Sequence, residues 1–220
     1  MINLLNKLIK VSGVSGREDK VAALIKEMIS PFCDSVKTDN LGSLIAIKRG
    51  SSSTPKRIML AAHMDEIGFI TTFIEDSGLI RFGVIGGIDF NAAAYSPVTF
   101  ESGVNGVIFP DQSIAAADYK VNKFYVDIGA KSKKEAERKV KIGDCFSLSP
   151  SLTRLCSGRV AGRPFDDRVG CAILIDIARR LENCADDVYF VFTSQEEVGL
   201  RGSKTATFAI SPDYAIAFDV

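Results

Sequence analysis

Apolar side chains recur at helical spacing in several segments of the chain. Residues 2–10 form the first segment, and residues 21–29 form the second, with apolar positions at i, i+3, i+4, i+7 and i+8. Ser15-Gly16-Arg17-Glu18 has the S-x-x-E form of a capping box, so we expect it to start this second helix. Residues 168–181 are apolar on most sides, which indicates a well-buried helix. Residues 202–208 predict a short fourth helix.

Other segments have the pattern of strands. Continuous apolar runs, typical of strands buried on both faces, occupy residues 57–62, 187–193 and 214–218. Residues 36–39 and 43–48, separated by Asn40-Leu41-Gly42, predict a hairpin. Strands that alternate with helices in this way indicate an α/β domain.

The pattern changes between these two parts of the chain. Short alternating stretches with frequent glycine occupy residues 69–74, 79–84, 98–100 and 106–109, and a polar helix is predicted at 133–139. Short strands of this kind indicate a small antiparallel barrel or sandwich. We therefore predict an α/β domain made of residues 1–70 and 160–220, interrupted by an inserted all-β domain of residues 71–159.

Composition narrows the range of partners. The 220 residues include 27 basic and 27 acidic side chains, so the chain has no net field that would attract nucleic acid or an anionic membrane. Five scattered cysteines without a C-x-x-C pair suit reduced thiols in the cytoplasm. No long uninterrupted apolar stretch and no signal-peptide pattern are present. We expect a cytoplasmic protein.

Acidic and imidazole side chains follow the predicted buried strands. His63 and Asp65 come after the strand at 57–62, Glu196 and Glu197 after the strand at 187–193, and Asp219 after the strand at 214–218. Ligand sites in open α/β sheets lie beyond the carboxyl ends of the strands, so these groups could converge in one crevice. Asp166-Asp167, at the start of the buried helix, is a fourth cluster.

One histidine with several carboxylates suits a pair of divalent ions, Zn²⁺, Co²⁺ or Mn²⁺. Each signal also has an ordinary structural explanation. His63 could be a satisfied core histidine, Asp166 or Asp167 could cap the following helix, and Glu196-Glu197 could be an exposed loop pair. Adjacent glutamates point to opposite faces in a regular strand, so both reach one site only if the local turn allows it.

Three motifs resemble the metal-ligand motifs of the glutamyl, deblocking and tetrahedral aminopeptidases, some of which carry the name cellulase or endoglucanase. They are AHMDEIGF at 62–69, GRPFDDRVG at 162–170 and SQEEVGLRG at 194–202. The resemblance covers essentially the whole chain. It implies a zinc-exopeptidase-like α/β domain, with a mixed sheet flanked by helices, and an inserted barrel-like domain that mediates dimerisation.

The resemblance also implies roles for the acidic residues. His63 and Asp219 would bind one ion each, Asp166 would bridge the two ions, and Glu197 would be a further ligand. Two residues would act without being ligands: Glu196 as the general base that activates water, and Asp65 as the group that orients His63. Related sites often have a cis peptide between the two aspartates. Substrates would be short peptides, and relatives assemble from dimers up to twelve-subunit particles.

The resemblance also predicts that the chain is shortened. Family members continue for roughly a hundred residues beyond the position of Asp219, and a second histidine ligand lies there, whereas His63 is the single histidine here. We expect the ion bound by Glu197 to be the impaired one. Two alternatives stay open: a remnant of the family that is inactive or binds metal weakly, and an endo-1,4-β-glucanase. The absence of tryptophan and of an aromatic sugar platform disfavours the glucanase.

Overall fold

A computed structural model describes residues 1–112 and 114–220, and these residues form two compact units. Unit 1 consists of Met1–Glu66 and Pro150–Val220, and unit 2 consists of Ile67–Ser149. The first segment of unit 1 contains two helices and three strands: α1 (Ile2–Ile9), α2 (Asp19–Ile29), β1 (Ser35–Thr38), β2 (Leu44–Lys48) and β3 (Arg57–His63).

The predicted helical spacing at the start of the chain is confirmed. α1 buries Leu5, Leu8 and Ile9 on one side, which places its polar residues toward solvent. The predicted capping box is wrong, because among the described residues no side chain caps the amino terminus of α2. The Glu18 carboxylate instead accepts the Gly16 N–H and, from a distant part of the chain, the Gln195 N–H.

Unit 2 is a closed barrel, as the alternating stretches predicted. Its elements are β4 (Gly68–Ile74), β5 (Ile80–Ile85), α3 (Phe90–Ala93), β6 (Pro97–Phe100), β7 (Asn105–Pro110), β8 (Phe124–Asp127), α4 (Lys133–Ala136) and β9 (Cys145–Leu148). The strand order around the barrel is β4-β5-β8-β7-β6-β9, and the first and last strands pair, with Phe69 opposite Phe146. Phe82 and Phe100 pack with this pair, so aromatic rings fill the interior.

The second segment of unit 1 completes the sheet. It contains β10 (Ser151–Arg154), β11 (Val160–Arg163), α5 (Arg168–Arg180), β12 (Asp187–Thr193), α6 (Arg201–Ile210) and β13 (Tyr214–Ala217). The five-stranded sheet has the order β1-β2-β12-β3-β13. β12 and β13 run parallel to β3, whereas β1 with β2 and β2 with β12 are antiparallel. The predicted mixed sheet is therefore confirmed.

The units divide at positions that differ from the predicted boundaries. Residues 150–159 belong to unit 1, although the sequence placed them in the insertion, and residues 67–70 belong to unit 2, although the sequence placed them in the α/β domain. The reason for the first difference is the hairpin of β10 and β11, in which Ser151 lies opposite Arg163 and Arg154 opposite Val160. Strand-like texture in this segment belongs to a separate two-stranded sheet and is not part of the barrel.

Helices pack on both faces of the five-stranded sheet at its central strands, whereas every residue of β13 is exposed. Alternate residues of β2 point to opposite faces: Leu44 packs with α1, α2 and α5, and Ile45 packs with Ala206 and Ile210 of α6. No helix in the described ranges is both long and apolar enough to span a bilayer. The carboxyl ends of β3, β12 and β13 lie at one edge of the sheet, where the candidate site is found.

Candidate active site

The register of the central strands brings the predicted site residues to one place. His63 is the last residue of β3 and lies opposite Thr193, the last residue of β12. The segment that contains Glu196 and Glu197 follows β12, and Asp219 follows β13. Because these strands are parallel, their carboxyl ends present all four side chains at the same edge of the sheet.

His63 is at the centre of the cluster. Its Nε2 atom lies 2.7 Å from Asp166 Oδ1 and 3.9 Å from both Glu196 Oε2 and Asp219 Oδ1. Its Nδ1 atom lies 3.1 Å from the backbone oxygen of Asp65. Burial alone would lower the pKa of His63, but the carboxylates of Asp65 and Asp166 outweigh it and raise the pKa to about 9.

Asp65 is fully buried and joins the two glutamates to His63. Its Oδ1 accepts the Glu196 N–H at 3.0 Å, and its Oδ2 accepts the Glu197 N–H at 3.1 Å. Burial would raise the pKa of Asp65, but the hydrogen bonds from His63 and the two amides outweigh it and lower the pKa. This carboxylate is therefore held in its charged form beside the imidazole.

A left-handed backbone conformation lets adjacent glutamates face the same site. Gln195 has a φ of 54°, so the chain leaves the regular strand geometry directly before Glu196. A ring nitrogen of His63 and carboxylate oxygens of Glu196 and Glu197 all lie within 4.8 Å of one another. Burial, followed by the charge of Asp166, raises the pKa of Glu197 to about 7.

The two aspartates before α5 have different surroundings. Asp166, whose side chain is 54% exposed, contacts His63, and the Asp166–Asp167 peptide is cis. Asp167 is fully buried and is the N-cap of α5, with Oδ1 accepting the Gly170 N–H at 2.9 Å. One of the two capping explanations therefore holds, for Asp167. Burial raises the pKa of Asp167 to about 7.

The donor atoms of the cluster fit a divalent cation. His63, Asp167 and Asp219 each offer one ligand atom within 4.8 Å of the others, and His63 with Glu196 and Glu197 forms a second such group. Asp167 Oδ2 is buried and has no hydrogen-bond partner among the residues that the structure describes. An unsatisfied buried carboxylate oxygen within a set of carboxylates around one imidazole favours a bound cation.

The structure also gives Asp167 and Arg168 roles that the sequence did not assign to them. Asp167 is a candidate ligand alongside Asp166, and the spacing of two adjacent aspartates could not distinguish them. Arg168, the next residue in the sequence, is fully buried, with Nη2 at 3.5 Å from Glu66 Oε1. The sequence contained one indication of this ion pair, because a guanidinium that is always charged follows an acidic motif.

Residues 42–220 match the family model of the M42 glutamyl aminopeptidases. The chain belongs to this family. A putative aminopeptidase of Acetivibrio thermocellus is 42% identical over all of this chain and 66% of its own length. Members of the family with solved structures share the fold described above.

Two such structures are informative. An aminopeptidase from the archaeon Desulfurococcus kamchatkensis superposes with a TM-score of 0.94 at 36% identity, over 100% of this chain and 62% of its own. The Pyrococcus horikoshii TET1 peptidase, which can assemble into a tetrahedron or a large octahedral shell, gives a TM-score of 0.83 at 35% identity, over 99% and 68% of the two chains. This chain thus spans about two thirds of the length of the relatives that it matches.

Proposed function

We propose that the chain belongs to a metal-dependent aminopeptidase that removes amino-terminal residues from short peptides. The observation that carries the proposal is the convergence of His63 and the carboxylates at the carboxyl ends of three parallel strands. Membership of the M42 family supports the class of reaction. Because the chain spans about two thirds of its relatives, the activity of the whole protein is part of the proposal.

Four side chains would hold two divalent ions, Zn²⁺ or Co²⁺, with Mn²⁺ as a further candidate. They are His63, Asp166, Glu197 and Asp219. Asp167 Oδ2, buried and unpaired among the described atoms, is a fifth candidate ligand. Two ions of this kind supply a polarised substrate carbonyl and an acidified water.

Glu196 is the group that would move the proton. Its Oε2 atom lies 3.9 Å from His63 Nε2, and burial raises the pKa of its carboxyl group. A carboxylate with a raised pKa takes a proton from water more readily and can then deliver it to the leaving amine. Asp65 would keep His63 oriented, because its Oδ1 atom lies 3.5 Å from His63 Nδ1. The same oxygen accepts the Glu196 N–H and so also fixes the backbone of the proposed base.

Assembly and location complete the proposal. The inserted barrel is proposed as the dimerisation unit, as the family resemblance implies, and it exposes the apolar side chains of Phe73 and Ile142 at 51% and 67%. The TET1 relative forms larger shells, which supports further assembly of such dimers. The substrates would be short peptides. The protein itself would bind neither nucleic acid nor membranes and would lie in the cytoplasm.

Metal content and peptide hydrolysis test the proposal together. After dialysis against Zn²⁺ or Co²⁺, we expect the chain to retain metal, with the ion at Glu197 held more weakly, and to release nitroaniline from aminoacyl-nitroanilides. Glu196→Gln should keep the metal and lose about 10²-fold or more in rate, whereas His63→Asn should lose both. Release of nitroaniline that survives EDTA would contradict the proposal. Hydrolysis of carboxymethylcellulose in EDTA would instead support a glycosidase, and metal retention without release would support a non-hydrolytic member of the family.

A further inference from the structure

Three consecutive backbone amides after β12 donate to two buried carboxylates. The Glu196 and Glu197 N–H groups donate to Asp65, and the preceding Gln195 N–H donates to Glu18 Oε1 at 3.0 Å. Glu18 is 6% exposed and lies directly before α2, 177 residues from Gln195 along the chain. Hydrogen bonds to carboxylates of other segments therefore hold the whole turn that carries both glutamates.

Glu18 is placed for this contact and not for capping a helix. Its Oε1 atom also accepts the N–H of Gly16, a residue of the loop that precedes α2, at 2.8 Å. Gly16 has a φ of +84°, a conformation that glycine adopts readily, so the loop can turn back toward the carboxylate. One oxygen atom therefore joins the loop before α2 to the turn after β12.

The hydrogen bond to Glu18 acts on Gln195, whose backbone conformation needs support from its surroundings. Its φ of 54° is sparsely populated for a residue with a Cβ atom, and such a conformation persists where surrounding contacts fix it. Arg201 contacts the other side of the residue, because its N–H donates to the Gln195 carbonyl at 3.2 Å. Glu18 alone, among the described residues, accepts the Gln195 N–H.

We propose that Glu18 is a positioning residue of the candidate metal site. By accepting the Gln195 N–H it fixes the left-handed residue that turns both Glu196 and Glu197 toward His63. The proposal rests on the function proposed above, in which Glu197 is a ligand and Glu196 a base. Glu18 itself touches neither a ligand nor substrate.

Three variants separate positioning from general stability. Glu18→Ala removes the acceptor, and Glu18→Gln keeps an oxygen acceptor of the same shape. Asp187→Ala is the matched control, because Asp187 is a buried carboxylate that accepts the Gly50 N–H at 2.8 Å at the opposite end of β12. It should disturb the strand without reaching the turn.

Zn²⁺ titration by calorimetry is the first measurement. We expect Glu18→Ala to weaken Zn²⁺ binding by about tenfold or more, the range seen when partners of metal ligands are removed. Glu18→Gln should stay within about threefold of the parent chain, because its amide oxygen restores the acceptor. Unchanged affinity in Glu18→Ala, an equal loss in Glu18→Gln, or an equal loss in Asp187→Ala would overturn the proposal.

Residue-resolved amide hydrogen exchange, measured by NMR without metal, is the second measurement. We expect Glu18→Ala to accelerate exchange at Gln195, Glu196 and Glu197 together, since loosening the first residue frees the other two. Acceleration at Gln195 alone would overturn the positioning role. A parent chain that binds no Zn²⁺ would refute the proposed function, while this second measurement would still decide the role of Glu18.

Discussion

The most informative test of the structure is the replacement of Arg168 by methionine. Arg168 is fully buried, and its Nη1 atom donates to the backbone oxygens of Leu8 at 2.6 Å and Val11 at 2.9 Å. Its Nη2 atom lies 3.5 Å from Glu66 Oε1, which also accepts the Gly13 N–H. One guanidinium therefore joins the end of α1, the following loop and the segment after β3.

The magnitude follows from burial. Arg168→Met removes two charge-assisted hydrogen bonds, each worth about 1.5–3 kcal/mol. Breaking a buried ion pair by removing one partner costs about 3–5 kcal/mol. Methionine fills most of the space of the arginine stem, so the cavity contribution is small. Both figures describe the loss of the same guanidinium and are not additive, so we expect the free energy of unfolding to fall by about 3–6 kcal/mol, a large share of the stability of an ordinary domain.

The matched control is Arg49→Met. Arg49 also pairs with a buried aspartate, Asp187, at 2.5 Å, but its own side chain is 58% exposed. An exposed partner can be replaced by water, so the expected loss is below about 1 kcal/mol. Urea unfolding followed by far-UV circular dichroism gives both values, provided that each variant keeps a single transition with an unchanged slope.

A double-mutant cycle sharpens the test. Arg168→Met combined with Glu66→Gln should be less destabilising than the sum of the two single changes, with a coupling of about 1–3 kcal/mol. Additive losses would show that the pair does not interact. Equal losses in Arg168→Met and Arg49→Met would refute the argument from burial.

Two further predictions concern packing and reactivity. A Cβ atom at Gly13 would lie 2.7 Å from Arg168 Nη2, so we expect Gly13→Ala to lower the free energy of unfolding by about 1–3 kcal/mol. A Cβ atom at Gly87 would meet no atom within 4 Å, so Gly87→Ala should be neutral or slightly stabilising. Equal Tm values for the two variants would contradict this prediction. Burial raises the pKa of the Cys171 thiol, so iodoacetamide should label exposed Cys156 well before Cys171, and mass spectrometry of the folded chain would show the opposite order if the burial is wrong.

Much of the fold follows from local patterns in the sequence. The spacing of Leu5, Leu8 and Ile9 is enough to predict α1, because a helix needs one apolar stripe. Continuous apolar runs gave β3 and β12, and the rule for parallel strands then placed His63 near the residues after β12. These inferences use only neighbours in sequence and a general property of sheets.

The structural features that the sequence did not predict depend on contacts between distant segments. The S-x-x-E pattern ending at Glu18 has the form of a helix start, yet its carboxylate binds Gln195, and no local rule indicates that partner. The left-handed φ of Gln195 was equally hidden, because glutamine has no special preference for it. Asp167 lies beside Asp166 in the sequence, so spacing alone could not show which side chain is buried.

The pairing of the first and last barrel strands has a consequence for how the candidate site forms. Residues 67–149 separate His63 from Asp166, a long loop whose closure would oppose their encounter in an unfolded chain. In the barrel, Phe69 lies opposite Phe146, so the folded insertion brings its own two ends together. The effective loop between His63 and Asp166 shortens from about 100 residues to about 25, which lowers the entropic cost by about 1 kcal/mol. If the barrel folds first, it therefore holds the chain before it and the chain after it close together, so that His63 and Asp166 meet by closing a shorter loop.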